Sequence, residues 1–361
     1  MKIGIISTYP PYICGIGIYT KNFVDAFRKL GHDVGVITFK NCNYTDNKIK
    51  PIIKKHDLLS YIRAAFYIKR KKFDTILIEY EYAFYNVFFF PILLLLLRLL
   101  GNKVNIVPHT IPTYNDFFKK NIYKLINTSF LLFANHVFLH TKNAEKKIYE
   151  NSFIRKPVTV FPIPIEERNA QFKINIRKKI KLVCFGFITH DKAIDVACEA
   201  VKGLKNMKLD IIGSVHPLSM KKQHDYFKKI KDYARNCDNI RVIDKFISSK
   251  EKAKIFKKAD FILLPYRFAE QSATLTDAWS FGKIPICSDI EAFKEEIDGR
   301  YGLLFKNKDP DDLRIKILEI ARDKRRQKKI LMNIRNLRKK RSFDRIAERF
   351  IQVLGGHRHL Y

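Results

Sequence analysis

Apolar residues recur along this chain in two registers. Short unbroken runs bounded by turn residues alternate with stretches in which the apolar positions return every three or four residues. The first forty residues set the pattern. "KIGIIST" is a β-run, "YPPYICGIG" a loop, "YTKNFVDAFRKLGH" an amphipathic helix and "DVGVITF" a second strand. Phe23, Phe27 and Leu30 fall at helical spacing, and Gly31 supplies the stop. Further strands are predicted at "TILIEY" (Thr75–Tyr80), "VNIVPHT" (Val104–Thr110) and "HVFLHT" (His136–Thr141), with helical stretches between them.

A break follows at "VTVFPIPIEERNAQFKINIRKK", where prolines, polar residues and a basic run read as a linker after Val160. The alternation then restarts. "IKLVCFGF", "KLDIIGS", "IRVIDKF", "DFILLPY" and "IPICSD" are strands, and the amphipathic stretches between them are helices. Strands alternating with helices imply parallel sheets covered on both faces. The expected architecture is therefore α/β, with two Rossmann-like, doubly wound parallel-sheet domains in tandem. Their expected bounds are 1–163 and 175–341. A ligand is expected in a central cleft that both domains face, at the carboxyl ends of the strands. The last helix, "SFDRIAERFIQVL", opens a third segment, 342–361.

Composition narrows the class. The 361 residues are 47% hydrophobic and 13% aromatic, which suits folded domains and excludes a disordered chain. Six cysteines show no C-x-x-C pair and no metal-ligand spacing, so they read as reduced thiols of a cytoplasmic protein. "MKIGIISTYPPY" lacks the apolar core of a signal peptide, which agrees with that expectation. Lys and Arg total 69 against 36 acids, a net charge of +33. The cations cluster at Lys69–Lys72, at Arg177–Lys181, and in ten Lys or Arg without an acid from Lys324 to Arg341. Such fields favour anionic partners: nucleic acid, acidic lipid or phosphorylated small molecules. "VFFFPILLLLLRLL" (Val87–Leu100) falls short of the roughly 20 residues needed to span a bilayer. It reads either as a buried helix or as a partly exposed one that docks on a membrane surface.

Two short motifs suggest chemistry. In "CGIGIYT", Gly15 and Gly17 stand at the turn from the first strand to its helix. There they permit close approach of backbone N–H groups to a phosphate or sugar oxygen, or simply make a tight turn. In "EQSATLTDAWSFGKIP", Ser272, Ala273 and Thr274 open a helix. A helix start carries unpaired N–H groups and a partial positive charge, so it is a site for a phosphate, although Ser and Thr also serve there as caps. Asp277 follows just inside that helix and either binds a ligand or complements the helix dipole. "DPDD" (Asp309–Asp312) reads as a helix start rather than a metal site.

Taken in order, these segments resemble a known family. "YPPYICGIGIYTKNFVDAFRKLGHDVGVIT" looks like the N-terminal signature of the retaining glycosyltransferases with the GT-B fold, glycosyltransferase family four. "FDTILIEYEYAF" followed by "VPHTI" resembles that family's third and fourth strands, and "ADFILLPYR…EQSATLTDAWSFGKIPICSD…YGLLF" resembles its donor-site block. The "EQSATLTDA" segment is similar to a subset that reads QSGxL, with Ala273 for Gly. The resemblance implies that the first domain binds acceptor and the second the donor, a nucleotide-diphosphate sugar. It also implies a final helix crossing back to the first domain, and no metal or other cofactor.

Carried onto this chain, the resemblance implies Lys192 and the Ser272–Thr274 amides as the diphosphate clamp and Asp277 as the ribose ligand. Glu270 would lie near the sugar hydroxyls, with Phe246 beside the base. His109, at the end of a strand, would face the transferred sugar, and Glu81, with Glu79 at the same strand end, would contact the acceptor. Both glutamates are expected to point the same way, or else to be solvated. The sequence departs from the family at Phe187, where an Arg is usual, and at Ala193 and Ala269. Another Lys or Arg is expected to stand in for the missing cation. Glu295 or Glu296 resembles the family's late acidic position.

The expected function is retaining hexosyl transfer from a donor of the GDP-mannose or UDP-hexose type. The expected acceptor is a glycolipid, a lipid-linked saccharide or a surface polysaccharide. The expected place is the cytoplasm, with peripheral contact to an anionic membrane. Two rival readings are a basic nucleic-acid-binding protein, motivated by charge alone, and a GT-B protein that has lost activity.

Overall fold

The computed structural model describes all residues except 13, 41, 113–115, 171, 173, 175–178, 216–219 and 356–361. The start expected for the second domain at 175 and the end of the tail lie outside the described residues. The chain forms two compact units, Met1–Pro164 with Phe343–Tyr361, and Ile165–Ser342.

Unit 1 runs β1 (Lys2–Ile6), α1 (Gly15–Lys29), β2 (Asp33–Phe39), β3 (Ile49–Ile53), α2 (Leu58–Lys71) and β4 (Thr75–Tyr80). It continues through α3 (Phe89–Leu99), β5 (Val104–Pro108), α4 (Phe117–Phe133), β6 (His136–Leu139), α5 (Lys142–Glu150) and β7 (Thr159–Val160). The strands form one parallel sheet in the order β3-β2-β1-β4-β5-β6-β7. One face of the sheet is covered by α2, α3 and α4, through residues such as Ala64, Leu93, Leu97 and Phe130, all with no exposed surface. The other face carries α1.

Unit 2 repeats the plan with β8 (Ile180–Phe185), α6 (Ile194–Val201), β9 (Met207–Ile212), α7 (Lys221–Arg235), β10 (Ile240–Ile243) and α8 (Ser249–Lys258). Then follow β11 (Phe261–Leu264), α9 (Ala273–Ser280), β12 (Ile284–Ser288), α10 (Glu291–Ile297) and β13 (Leu303–Phe305). Two further helices, α11 (Pro310–Arg322) and α12 (Lys324–Lys340), close the unit. Its parallel sheet has the order β10-β9-β8-β11-β12-β13. The final helix, α13 (Phe343–Leu354), belongs to unit 1 and packs on α1. Phe343 and Phe350 meet Phe23 edge-on there.

One local reading changes and others are made definite. Gly15 and Gly17 lie in the first turn of α1, not in a loop before it, because Cys14 is already the extended cap residue and Ile18 bonds back to it. Strands β3, β7 and β13 carry no clear alternation, being short or, in β3, interrupted by Pro51; β3, β7 and β13 are also end strands of their sheets. The Val87–Leu100 stretch is neither wholly buried nor wholly exposed: α3 buries Phe90, Leu93, Leu94 and Leu97 and exposes the alternate side. Asp309 spends a carboxylate oxygen on the Asp311 and Asp312 amides, with Pro310 at the start of α11, so "DPDD" is a helix cap.

Candidate functional site

In both sheets the strand order reverses beside the first strand of the unit, at β1/β4 and at β8/β11. Loops leaving the carboxyl ends on either side of such a reversal splay apart and leave room for a ligand. The candidate residues gather at these ends.

In unit 2 the chain leaves β8 through Gly186, whose φ is +109°. A Cβ there would lie 2.7 Å from Lys192 Nζ and 3.8 Å from Thr274 Oγ1. The glycine therefore brings a lysine ammonium and the start of α9 to one point. Gly186 and Gly213 pack backbone on backbone, for a Cβ on Gly213 would stand 2.0 Å from the Gly186 carbonyl oxygen. Lys192 also lies over the Tyr266 ring, 5.2 Å from its centroid. At α9, Ser272 is the cap and its Oγ accepts the Leu275 amide at 3.2 Å. The amides of Ala273 and Thr274 precede the first intrahelical bond and have no acceptor among the described residues. Ala273 is exposed, while Ser272 and Thr274 are buried. Lysine, two amides and the positive end of a helix make a cradle for a dianionic phosphate group.

Asp277 has a neighbour that neither reading of the sequence named. It is the fifth residue of α9, beyond the first turn, so it does not complement the helix start. Both its carboxylate oxygens accept from Lys252 Nζ, at 2.8 Å each. Burial raises its pKa and the lysine opposes that rise.

Arg267 bears on the cation missing at Phe187. Its Nη2 donates to Asp195 at 2.6 Å and its Nη1 to the His190 carbonyl at 2.7 Å. Its own amide bonds the Asp191 carbonyl at 2.7 Å. Arg267 thus fixes the His190–Lys192 turn, and through it the lysine. Burial alone would raise the Asp195 pKa, but bonds from Arg267 and Tyr226 hold it below the usual carboxylate range. Phe187 itself is exposed and stands edge-on to Phe246, ring centroids 5.9 Å apart. Glu270 is half-buried, two residues before the cap. Of the two late glutamates, Glu296 is the one bound inward, to Arg341 at 2.5 Å.

In unit 1, Glu79 and Glu81 do not share one environment. Glu79 is the fifth residue of β4 and is buried, so it is not a solvated strand end; Glu81 lies past the strand. Pairing of β4 with β5 sets Val107 opposite Glu79 and His109 two residues further on, where its Nε2 lies 2.8 Å from Glu79 Oε2. Glu81 accepts instead from Thr110 Oγ1 at 2.7 Å. Burial pushes the Glu79 pKa well up and the His109 pKa down to about 4. Burial thus works against the charged form of each partner. The Tyr19 ring meets His109 edge-on at 5.0 Å, and its hydroxyl lies 3.4 Å from His140 Nε2.

Sequence reading missed Lys252, Arg267, Tyr19 and His140. The two cations sit 25 and 72 residues from their carboxylate partners, a separation that leaves no local signal. Tyr19 could have been found from the aromatic spacing Tyr19–Phe23–Phe27 along α1.

Comparison with known proteins adds a family likeness. Residues 166–337, nearly all of unit 2, match the family model of the glycosyl transferases group 1. An uncharacterized glycosyltransferase of Methanocaldococcus jannaschii is 24% identical over 96% of this chain and 95% of its own. Among solved structures, sucrose-phosphate synthase from Thermosynechococcus elongatus superposes with a TM-score of 0.75 at 14% identity, covering 98% of each chain. Anabaena HepE in complex with UDP-glucose gives 0.76 at 12% identity, over 98% of this chain and 99% of that one. The fold is thereby GT-B, two Rossmann-like units in one chain. The family match and the archaeal relative support a glycosyltransferase.

Proposed function

We propose that this chain is a retaining glycosyltransferase of family four, in its QSGxL-type subset, transferring a hexose from a nucleotide-diphosphate sugar. The observation that carries the reading is the meeting of Lys192 Nζ, Thr274 and the bare amides of α9 above Gly186. When the bond from the anomeric carbon to the diphosphate breaks, negative charge grows on the leaving oxygen. A fixed ammonium and two oriented N–H groups neutralise it without a metal ion, each such donor being worth roughly 3 kcal/mol of transition-state stabilisation. Arg267 serves by holding the lysine turn, which replaces direct contact from a cation at Phe187. The base lies against the backbone at Phe246, and Glu270 reaches the sugar.

Asp277, held by Lys252, ties α8 to α9 and offers the ribose only what Lys252 leaves free. In unit 1, His109 positions sugar or acceptor, its ring fixed by Glu79 and Tyr19. Gly15 and Gly17 keep the start of α1 low; a Cβ on Gly15 would meet no atom within 4 Å, so packing alone does not explain that glycine. Glu81 faces the acceptor, a glycolipid, lipid-linked saccharide or surface polysaccharide, and the reaction takes place in the cytoplasm.

Thermal unfolding against UDP-, GDP- and ADP-sugars tests this. A donor present at a hundredfold its Kd stabilises by about 2.7 kcal/mol. Lys192→Ala removes most of that shift while leaving the unliganded protein's stability within about 0.5 kcal/mol. Retention is read from the anomeric configuration of the product. Stabilisation by RNA or DNA with no response to any sugar nucleotide would overturn the reading in favour of a nucleic-acid binder. A donor shift without transfer or hydrolysis would identify an inactive relative.

A further inference from the structure

Three neighbouring helices of unit 1 share an unusual outward surface. α2 packs on α3 and α3 on α4, and all three bury their inner sides in the same core against the sheet. Their outer sides face away from it. On α3 the exposed positions Phe88, Ile92, Leu95 and Leu99 recur at steps of four, three and four, one continuous stripe about 16 Å long. Phe118, Leu125 and Leu132 form a parallel row on α4, at steps of seven. Leu59 and Phe66 do the same on α2, with the exposed Arg63 and Arg70 at the positions between and after them. Ten of the twenty large apolar side chains exposed among the described residues lie on these helices or their caps, so the surface is a patch and not scatter.

Charge on this face is one-sided. α2, α3 and α4, of 14, 11 and 17 residues, contain eight Lys or Arg and no Asp or Glu. The basic composition of the chain does not account for that. α5, which packs into the same core, carries Glu145 and Glu150 and exposes no large apolar residue. α1 and α13, on the opposite face, carry Asp25, Asp344 and Glu348. Apolar rows flanked by cations on a surface-lying helix are the pattern that seats in a lipid headgroup region. No helix among the described residues is long and apolar enough to cross a membrane.

We infer that the outer face of α2, α3 and α4 docks on an anionic lipid bilayer, the α3 stripe entering the acyl boundary and the lysines and arginines resting on acidic headgroups. A second copy of the chain fits this face poorly. A two-fold contact sets the patch against itself, and eight cations would then meet eight cations, with only the cap carboxylates Asp57 and Asp116 at the helix starts. The inference stands on these helices alone and does not depend on the reaction proposed above.

Flotation with vesicles of phosphatidylcholine, with and without phosphatidylglycerol, tests it. The protein rises with the anionic vesicles at low salt, stays behind with the neutral ones, and is released in molar salt. The double substitution Leu95→Asp and Leu99→Asp weakens binding at least tenfold. Replacing Arg63, Arg70 and Lys120 by Gln weakens it by about a hundredfold, a factor of roughly five for each cation near such a surface. All five positions are exposed, and unchanged circular dichroism confirms folding. Failure of the wild type to bind anionic vesicles, or binding by both variants equal to wild type, would overturn the inference. So would a dimer in light scattering that the Asp variant converts to monomer, because the face would then belong to a second copy.

Discussion

Replacing Glu79 by Gln is the sharpest probe of the unit 1 site. Glu79 is 2% exposed, and its nearest ionisable partner, His109, is itself driven neutral, so nothing offsets a charge on the carboxylate. The native pair retains a proton that the unfolded chain releases near pH 4.3. A raised folded-state pKa on an acid gives stability that is complete below the unfolded value and is lost as pH rises toward the folded one. The loss proceeds at up to 1.36 kcal/mol per pH unit for one proton. The His109 shift has the opposite sense: its contribution is present above about 6.5 and is lost as pH falls toward about 4. A Gln amide still donates to His109 Nε2, so that contribution is common to both proteins and cancels. Glu79→Gln is therefore expected to match wild type at the acid end of a series from about pH 4.5 to 8.5 and to gain on it as pH rises toward the raised folded-state value. Urea unfolding followed by far-ultraviolet circular dichroism measures the difference. Trp279, the single tryptophan, is buried in unit 2 and reports that unit separately. A difference that stays constant across this range would mean the pair holds no extra proton, and the burial argument would be wrong.

Two more outcomes are expected in unit 2, both read from Trp279 emission in urea. Asp277→Ala and Lys252→Met should each cost about 3 kcal/mol, because each strands a largely buried charge, and Lys252→Met with Asp277→Leu should recover most of the loss. An Asp277→Ala variant as stable as wild type would refute that coupling. Gly213→Ala should lose more than about 4 kcal/mol, since its methyl would meet the Gly186 carbonyl at 2.0 Å. Gly203→Ala, also at positive φ but with no atom within 4 Å, should lose only about 1 kcal/mol. Equal losses would show that steric contact at Gly213 is not the cause.

The central strands could be read because β1, β4, β5, β8, β9 and β11 are buried on both faces and therefore nearly uninterrupted in apolar residues. End strands such as β3 and β13 have less to bury, and their signal fades into the loops. The cap at Ser272 was visible because capping is local chemistry, set by three or four consecutive residues. The ion pair of Asp277 was hidden for the complementary reason. Its partner, Lys252, arrives from another helix, and only the packing of α8 beside α9 brings the two together. His109 and Glu79 were each singled out, but their contact depends on β4 and β5 being neighbours in register, which no stretch of either strand encodes alone.

The placement of α13 has a consequence for how the molecule is made. Phe350 fills a slot formed by Phe23, Phe138 and Phe161, at centroid distances of 5.4, 4.4 and 4.8 Å. Those three rings emerge from the ribosome early, yet the helix that covers them is translated only after the whole of Ile165–Ser342. At ordinary elongation rates of about 5–20 residues per second, the slot stays open for roughly ten to thirty seconds. The later unit is therefore the first to be finished, and the earlier one carries an uncovered aromatic groove through the interval in which nascent chains are most exposed to chaperones and to one another.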